Sequence, residues 1–342
     1  MTVRKRIGFL SFGHYRDVPG SRVPTAGDSL RMHVELAVAA EEAGLDGAWV
    51  RVHHFDQSLA TPYPLLAAMA ARTSTLEVGT GVVDLRYEQP LAMTELASAT
   101  DLLAGGRLQL GISRGSPERA VDGQELFGLG LAPGGSWSDE ARDRADRLRR
   151  ALRGEPVARS ERAVELGRGP DLPVEPHSPG LADRLWWGAG NHASGLWAAE
   201  HGYHLLSSTL LTQDDGRPFH VQQADQVRAY LDAHAAAAHR IRPRTAVTRS
   251  AFPIVSDDDR RYFGLADERH DGIGRIEGGA VRGGPTYAGE PEHVARRLLA
   301  DEAVQAADTV LFALPSQLGL DVNAHLFTSL AAVARELGWL DD

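Results

Sequence analysis

The stretch LEVGTGVVDLRYEQPLAMTELASATDLLAGGRLQLGIS (Leu76–Ser113) decides the fold. It opens with an apolar run, Leu76–Val83, which predicts a strand. Helical apolar spacing follows over Leu91–Leu103 and stops at the pair Gly105-Gly106. A second apolar run, Arg107–Ile112, predicts the next strand. Strands this apolar, alternating with amphipathic helices, belong to a parallel sheet covered by helices. Working outward, the same unit recurs in both directions. Predicted strands are Ile7–Phe12, Gly47–Val52, Arg184–Ala189, Tyr203–Ser208, Thr245–Val255 and Thr309–Ala313. Predicted helices are Asp28–Ala43, Tyr63–Arg72, Asn191–His201, Phe219–His239, Pro291–Asp301 and Val322–Leu337. Eight β-then-α units predict a (β/α)8 TIM barrel in a single domain over residues 1–342. Two insertions are expected. One follows strand four and carries a helix at Asp139–Arg153; the other, after strand seven, reads as irregular and glycine-rich over 257–289. A doubly wound open sheet with a second domain is the alternative.

The 342 residues carry 36 Lys+Arg against 46 Asp+Glu, a net charge of −10. Such a chain repels phosphate backbones and anionic membranes, so nucleic acid and lipid are poor partners. No run of 18 apolar residues exists to span a bilayer. With no Cys there is no disulfide, thiolate metal site or catalytic thiol, which fits a cytoplasmic location.

In a barrel, chemistry sits in the loops after the strands. After strand two comes His53-His54-Phe55-Asp56. Adjacent residues at a strand end point to opposite sides, so one histidine faces the barrel mouth as an acid, base or polar partner; the bland reading is a hydrogen-bonded pair supporting a loop. His201-x-x-His204 could suggest a metal, but lies on the opposite end of the barrel, and no metal is expected. After strand four, Gly111-Ile112-Ser113-Arg114-Gly115 spells the G-x-S-x-G nucleophile string. An equally physical reading is an anion site of hydroxyl, guanidinium and glycine amides, and that reading is preferred. After strand five, Gly188-Ala189-Gly190-Asn191-His192-Ala193-Ser194 runs into a helix, placing bare amides and Ser194 where a phosphate could bind. Gly79 and Gly81 inside strand three mark a bulge or a close approach by a ligand or backbone, which would suit a flat ring against the strand's end. Trp186 and Trp187 alternate faces, so at least one packs outward.

Together these residues resemble the bacterial luciferase-like flavin-dependent monooxygenases. The resemblance rests on AEEAGLDGAWVRVHHF (Ala40–Phe55), Leu76–Gly115, WWGAGNHASGLWAAEHG (Trp186–Gly202), and the run from Thr286 to Leu299. It implies a (β/α)8 barrel that uses reduced FMN, with O2 activated at the flavin and the flavin supplied by a separate reductase. Some relatives use the deazaflavin F420 for hydride transfer. By resemblance His53 and His54 form the family's double histidine, with the first in the active site, and Arg114 is the phosphate arginine. Gly190, Asn191 and Ser194 lie at the phosphate. The family's non-prolyl cis bond falls near Gly81–Val82, under the flavin ring, with Ser208 and Thr209 near that ring. Two positions depart from the pattern. Val52 stands where many members have Glu, and Ser113 stands where luciferase has a reactive thiol, so light emission is not implied. The expectation is a monooxygenase acting on an unidentified small organic substrate, with a homodimer as the assembly the resemblance suggests. The alternatives are an F420-dependent hydride-transfer enzyme, a serine hydrolase using Ser113, and a non-catalytic flavin-binding protein.

Overall fold

The computed structural model describes residues 4–116, 118–162, 169–265, 273–276 and 279–341. Eight parallel strands close into a barrel: β1 (Arg6–Ser11), β2 (Gly47–Val50), β3 (Glu77–Thr80), β4 (Leu108–Ser113), β5 (Leu185–Ala189), β6 (His204–Ser207), β7 (Thr245–Pro253) and β8 (Thr309–Ala313). They neighbour one another in chain order. β6 pairs with β7 (Thr245 beside Leu205), and β8 pairs with β1 (Arg6 beside Thr309), which completes the ring. The helices outside are α1 (Ala26–Glu42), α2 (Tyr63–Arg72), α3 (Pro90–Leu103), α4 (Trp137–Leu152), α5 (His192–Glu200), α6 (Phe219–Ala236), α7 (Asp257–Phe263), α8 (Pro291–Ala300), α9 (Glu302–Ala306) and α10 (Gly319–Glu336). The predicted architecture holds, and most predicted elements agree to within a few residues.

Two readings need correction. Strand three is not continuous over Leu76–Val83: it ends at Thr80, passes through a cis Gly81–Val82 peptide, and resumes as Val83–Asp84 beside β4. The second insertion is not simply irregular. Ser256 accepts from the Asp259 amide and three aspartates fill the first turn, so α7 forms where a loop was expected. Beyond it Thr286–Gly289 runs parallel to the extended end of β7, and Ile273–Ile276 pairs antiparallel with Gly279–Gly283. The close spacing of glycines there masked the strands.

The barrel interior is a plug rather than a pore. At its base Glu77 meets Arg6 at 3.2 Å and Arg244 at 2.9 Å, and Gln109 accepts from Trp186 Nε1 at 2.9 Å. Above lies a layer of Leu10, Trp49, Val82, Trp186, Leu206, Ala246 and Leu311. The two indoles meet edge to face, with centroids 5.1 Å apart. The strand-three glycines serve this layer. A Cβ on Gly79 would lie 2.9 Å from Trp49 Cδ2 and 2.8 Å from Gln109 O; one on Gly81 would lie 2.9 Å from Leu10 Cδ1. The flat ring approaching Gly79 is thus the protein's own Trp49. Overpacking of this kind costs about 1–2 kcal/mol, so Gly79→Ala is expected to lower stability by that amount in urea unfolding. An unchanged midpoint would show that the indole is free to move. Trp187 faces the other way, against Trp197 and Tyr203.

Among the described residues no helix is long and apolar enough to cross a membrane.

Candidate active site

The filled interior leaves chemistry to the mouth, where the strands end. A cavity of about 660 Å³ opens there, with Leu10, Val82 and Leu206 of the interior layer as its floor. Its size falls within the about 300–1,000 Å³ typical of small-molecule sites. It gathers Gly81, Val82, Ser113, Arg114, Gly190, Asn191, Ser194 and Ser208, all anticipated from sequence, with His53 and Thr209. His54 is not brought there. It is buried and stacks on Tyr87 at 4.0 Å, with Phe127 edge-on at 5.7 Å. Burial lowers its pKa. The pair therefore divides as strand geometry requires: His53 faces the cavity and His54 packs the loop.

His53 is held from three sides. Its Nδ1 donates to Glu118 Oε1 at 3.1 Å, and its Nε2 accepts from Arg51 Nε at 3.3 Å. Phe12 stacks on the ring at 5.9 Å and on His14 at 5.5 Å. These bonds place the imidazole proton on Nδ1. Glu118 is almost fully enclosed, its side chain 4% exposed. It comes from the loop after β4 and reaches His53 without bordering the cavity itself. Sequence reading missed it because nothing local ties residue 118 to residue 53. Arg51 was missed too, although a charged residue directly after the apolar β2 was a usable signal.

The loop after β4 is shaped by Asp84. Its carboxylate is buried and meets Arg86 Nη2 at 2.6 Å, and burial still raises its pKa. Arg86 also donates to the Ser116 carbonyl. Gly115 has φ +89°, and a Cβ there would fall 2.0 Å from the Asp84 carboxylate, so only glycine fits. Ser113 Oγ accepts from the Gly115 amide at 2.9 Å. Among the described residues no histidine hydrogen-bonds Ser113 Oγ, so the nucleophile string has no base.

Across the cavity, α5 begins at the β5 turn. Asn191 caps it, with Oδ1 accepting from the Ser194 amide at 2.9 Å. Ser194 Oγ accepts from Trp187 Nε1 at 2.8 Å and keeps its own proton to donate. Early α5 amides, Ser194, Arg114, and Ser138 and Arg142 from α4 all border the same space. Arg142 packs over Trp197 at 5.3 Å. Ser138 and Arg142 come from the first insertion, where no motif announced them. No Asp or Glu is among the described residues bordering the cavity, while Arg51, Arg114 and Arg142 are. A chain of net charge −10 has thus built a positive pocket, suited to an anion.

His201 and His204 do not converge on a metal. His201 stacks on Trp197, whereas His204 is buried edge-on to Trp186, where burial pushes its pKa down to about 3.

The sequence pattern described as luciferase-like monooxygenase matches residues 9–307. The chain is 32% identical over 160 residues to 4-hydroxyprotoasukamycin monooxygenase of Streptomyces nodosus subsp. asukaensis, covering 46% of this chain and 42% of that protein. It spans about half the length, or less, of the curated relatives it matches. Its fold is similar to the oxygenating constituent of 3,6-diketocamphane monooxygenase from Pseudomonas putida, solved with FMN: TM-score 0.70, 17% identity, 98% of each chain. It is also similar to the F420-dependent tetrahydromethanopterin reductase of Methanopyrus kandleri: TM-score 0.65, 14% identity, 96% of this chain and 98% of that one.

Proposed function

The chain belongs to the luciferase-like monooxygenase family, and from that premise we propose that it is an FMN-dependent monooxygenase using reduced FMN and O2 on a small organic substrate. The observation that carries this reading is a cavity with two unlike ends. One end is an anion cradle of Arg114, Arg142, Ser138, Ser194 and the α5 amides; the other is an imidazole oriented by a carboxylate. The residues fit FMN. The cradle takes its phosphate, and the floor of Leu10, Val82 and Leu206 beside Gly81 and Gly188 is apolar, as the face of a flat ring requires.

Bound flavin supplies the activation of O2, chemistry no side chain here can perform. The protein's part is to hold and orient. Arg114 and the α5 N-terminus fix the phosphate, while Leu10, Val82 and Leu206 keep the floor dry. His53 borders the reacting region; Glu118 keeps its proton on Nδ1, and Nε2 meets a reactant where its 3.3 Å contact with Arg51 Nε gives way. A separate reductase would deliver the reduced flavin, in keeping with a relative whose name marks it as an oxygenase component. Cytoplasmic location and a homodimer complete the reading.

The phosphate cradle is tested by comparing FMN with riboflavin. Charge-assisted hydrogen bonds are worth about 1.5–3 kcal/mol, so FMN is expected to bind about tenfold to a hundredfold more tightly. Equal affinity would remove the cradle from the account. A second test addresses Glu118. Glu118→Gln is expected to lower turnover about fivefold, the worth of one hydrogen bond at about 1 kcal/mol, with FMN affinity unchanged. Full turnover in the variant would make the contact purely structural.

A further inference from the structure

We propose that Arg51 anchors an anionic substrate, a small organic carboxylate held on the His53 side of the cavity. The proposal rests on the flavin reading only for the placement of the flavin, and it names the substrate class of that site.

Arg51 leaves the mouth end of β2 and borders the cavity. Its Nε donates to His53 Nε2 at 3.3 Å and its Nη2 to Ser116 Oγ at 3.1 Å. Neither acceptor is a carboxylate. Among the described residues no carboxylate forms an ion pair with Arg51, because the two nearby ones are engaged elsewhere. Glu118 is held by His53 at 3.1 Å, and Asp84 by Arg86 at 2.6 Å. Enclosure pulls the Arg51 pKa down, and Asp84 and Glu118 offset that only in part. A guanidinium stays charged in a protein, and a charge drawn from water calls for an opposite charge. With Nε and one Nη2 proton engaged, Nη1 and the second Nη2 proton remain among the described residues to meet the two oxygens of a carboxylate end-on.

Position separates this anion from the flavin phosphate. The phosphate cradle lies at the ends of β4 and β5 and on α4, whereas Arg51 comes from β2, with β3 between β2 and β4, and reaches only Ser116 of the loop after β4. An acid gripped by Arg51 would lie beside His53, at the reacting end. Arg51 would then select acids over their neutral analogues, and reject cations by repulsion.

The test uses the whole protein saturated with oxidised FMN, so that nothing turns over. Hexanoate and benzoate are titrated against hexanamide and benzamide, read by calorimetry and by the flavin absorbance. The acids are expected to bind about tenfold more tightly than the amides. Arg51→Gln should erase that preference while leaving FMN affinity within about twofold. Arg51→Lys, which keeps the charge but not the fork, should retain part of it. Acid and amide binding equally to the parent would overturn the proposal, as would a preference that survives in Arg51→Gln. Loss of FMN affinity in Arg51→Gln matching that of Arg114→Ala would move Arg51 into the phosphate cradle and overturn it as well. If the parent binds no FMN, the flavin reading fails by itself. The acid–amide comparison then runs on the apoprotein, with inorganic phosphate filling the cradle, and still decides the role of Arg51.

Discussion

His53→Ala is expected to lower product formation about a hundredfold, in the range of general acid–base catalysis, while FMN affinity stays within about twofold. The two halves of that result follow from separate observations. His53 borders the cavity at the end of β2, away from the cradle residues, so its loss leaves the phosphate contacts in place. Its orientation is fixed by Glu118 on Nδ1, Arg51 on Nε2 and Phe12 on the ring face. His54 provides the internal control. It is buried against Tyr87 and Phe127 outside the cavity, so His54→Ala should register as lost stability instead. Measuring product per flavin oxidised for both variants separates the roles. Equal yield from His53→Ala and parent would remove His53 from the mechanism.

Arg114→Ala is expected to weaken FMN binding about tenfold to a hundredfold, the loss of one charge-assisted phosphate contact worth about 1.5–3 kcal/mol. Arg114 is exposed at the cavity rim, with no hydrogen bond or ion pair to another described residue, so its removal leaves no buried group unpaired and the fold intact. The loss should shrink for riboflavin, which has no phosphate to lose. A fluorescence titration of both flavins reads this directly. Unchanged FMN affinity would refute the phosphate assignment for Arg114.

The barrel was legible because its signal is local: an apolar strand, a glycine-stopped helix and another apolar strand, repeated along the chain. The cofactor side was legible for the same reason, since Arg114 and Gly190–Ser194 sit in short loops whose chemistry is contiguous. What was missed is non-local. Glu118 reaches His53 across 65 positions, and Ser138 and Arg142 arrive on a helix within an insertion that carries no motif. Strand three misled in a different way. Its glycines were read as a close approach by a ligand ring or by backbone; at Gly79 the approach is by the Gln109 carbonyl and by Trp49, 30 positions earlier in the chain. The 257–289 stretch hid α7 and its strands because its glycines and charges obscured both helical and strand periodicity. Pairing partners, not composition, decide such segments.

The most direct measurement is an anaerobic titration of the purified protein with reduced FMN, oxidised FMN and F420, followed by admission of air. The account predicts that reduced FMN binds most tightly and that, once bound, it reoxidises along a time course distinct from that of the free flavin. Preference for F420, with reduced FMN unbound or reoxidising as if free, would contradict it.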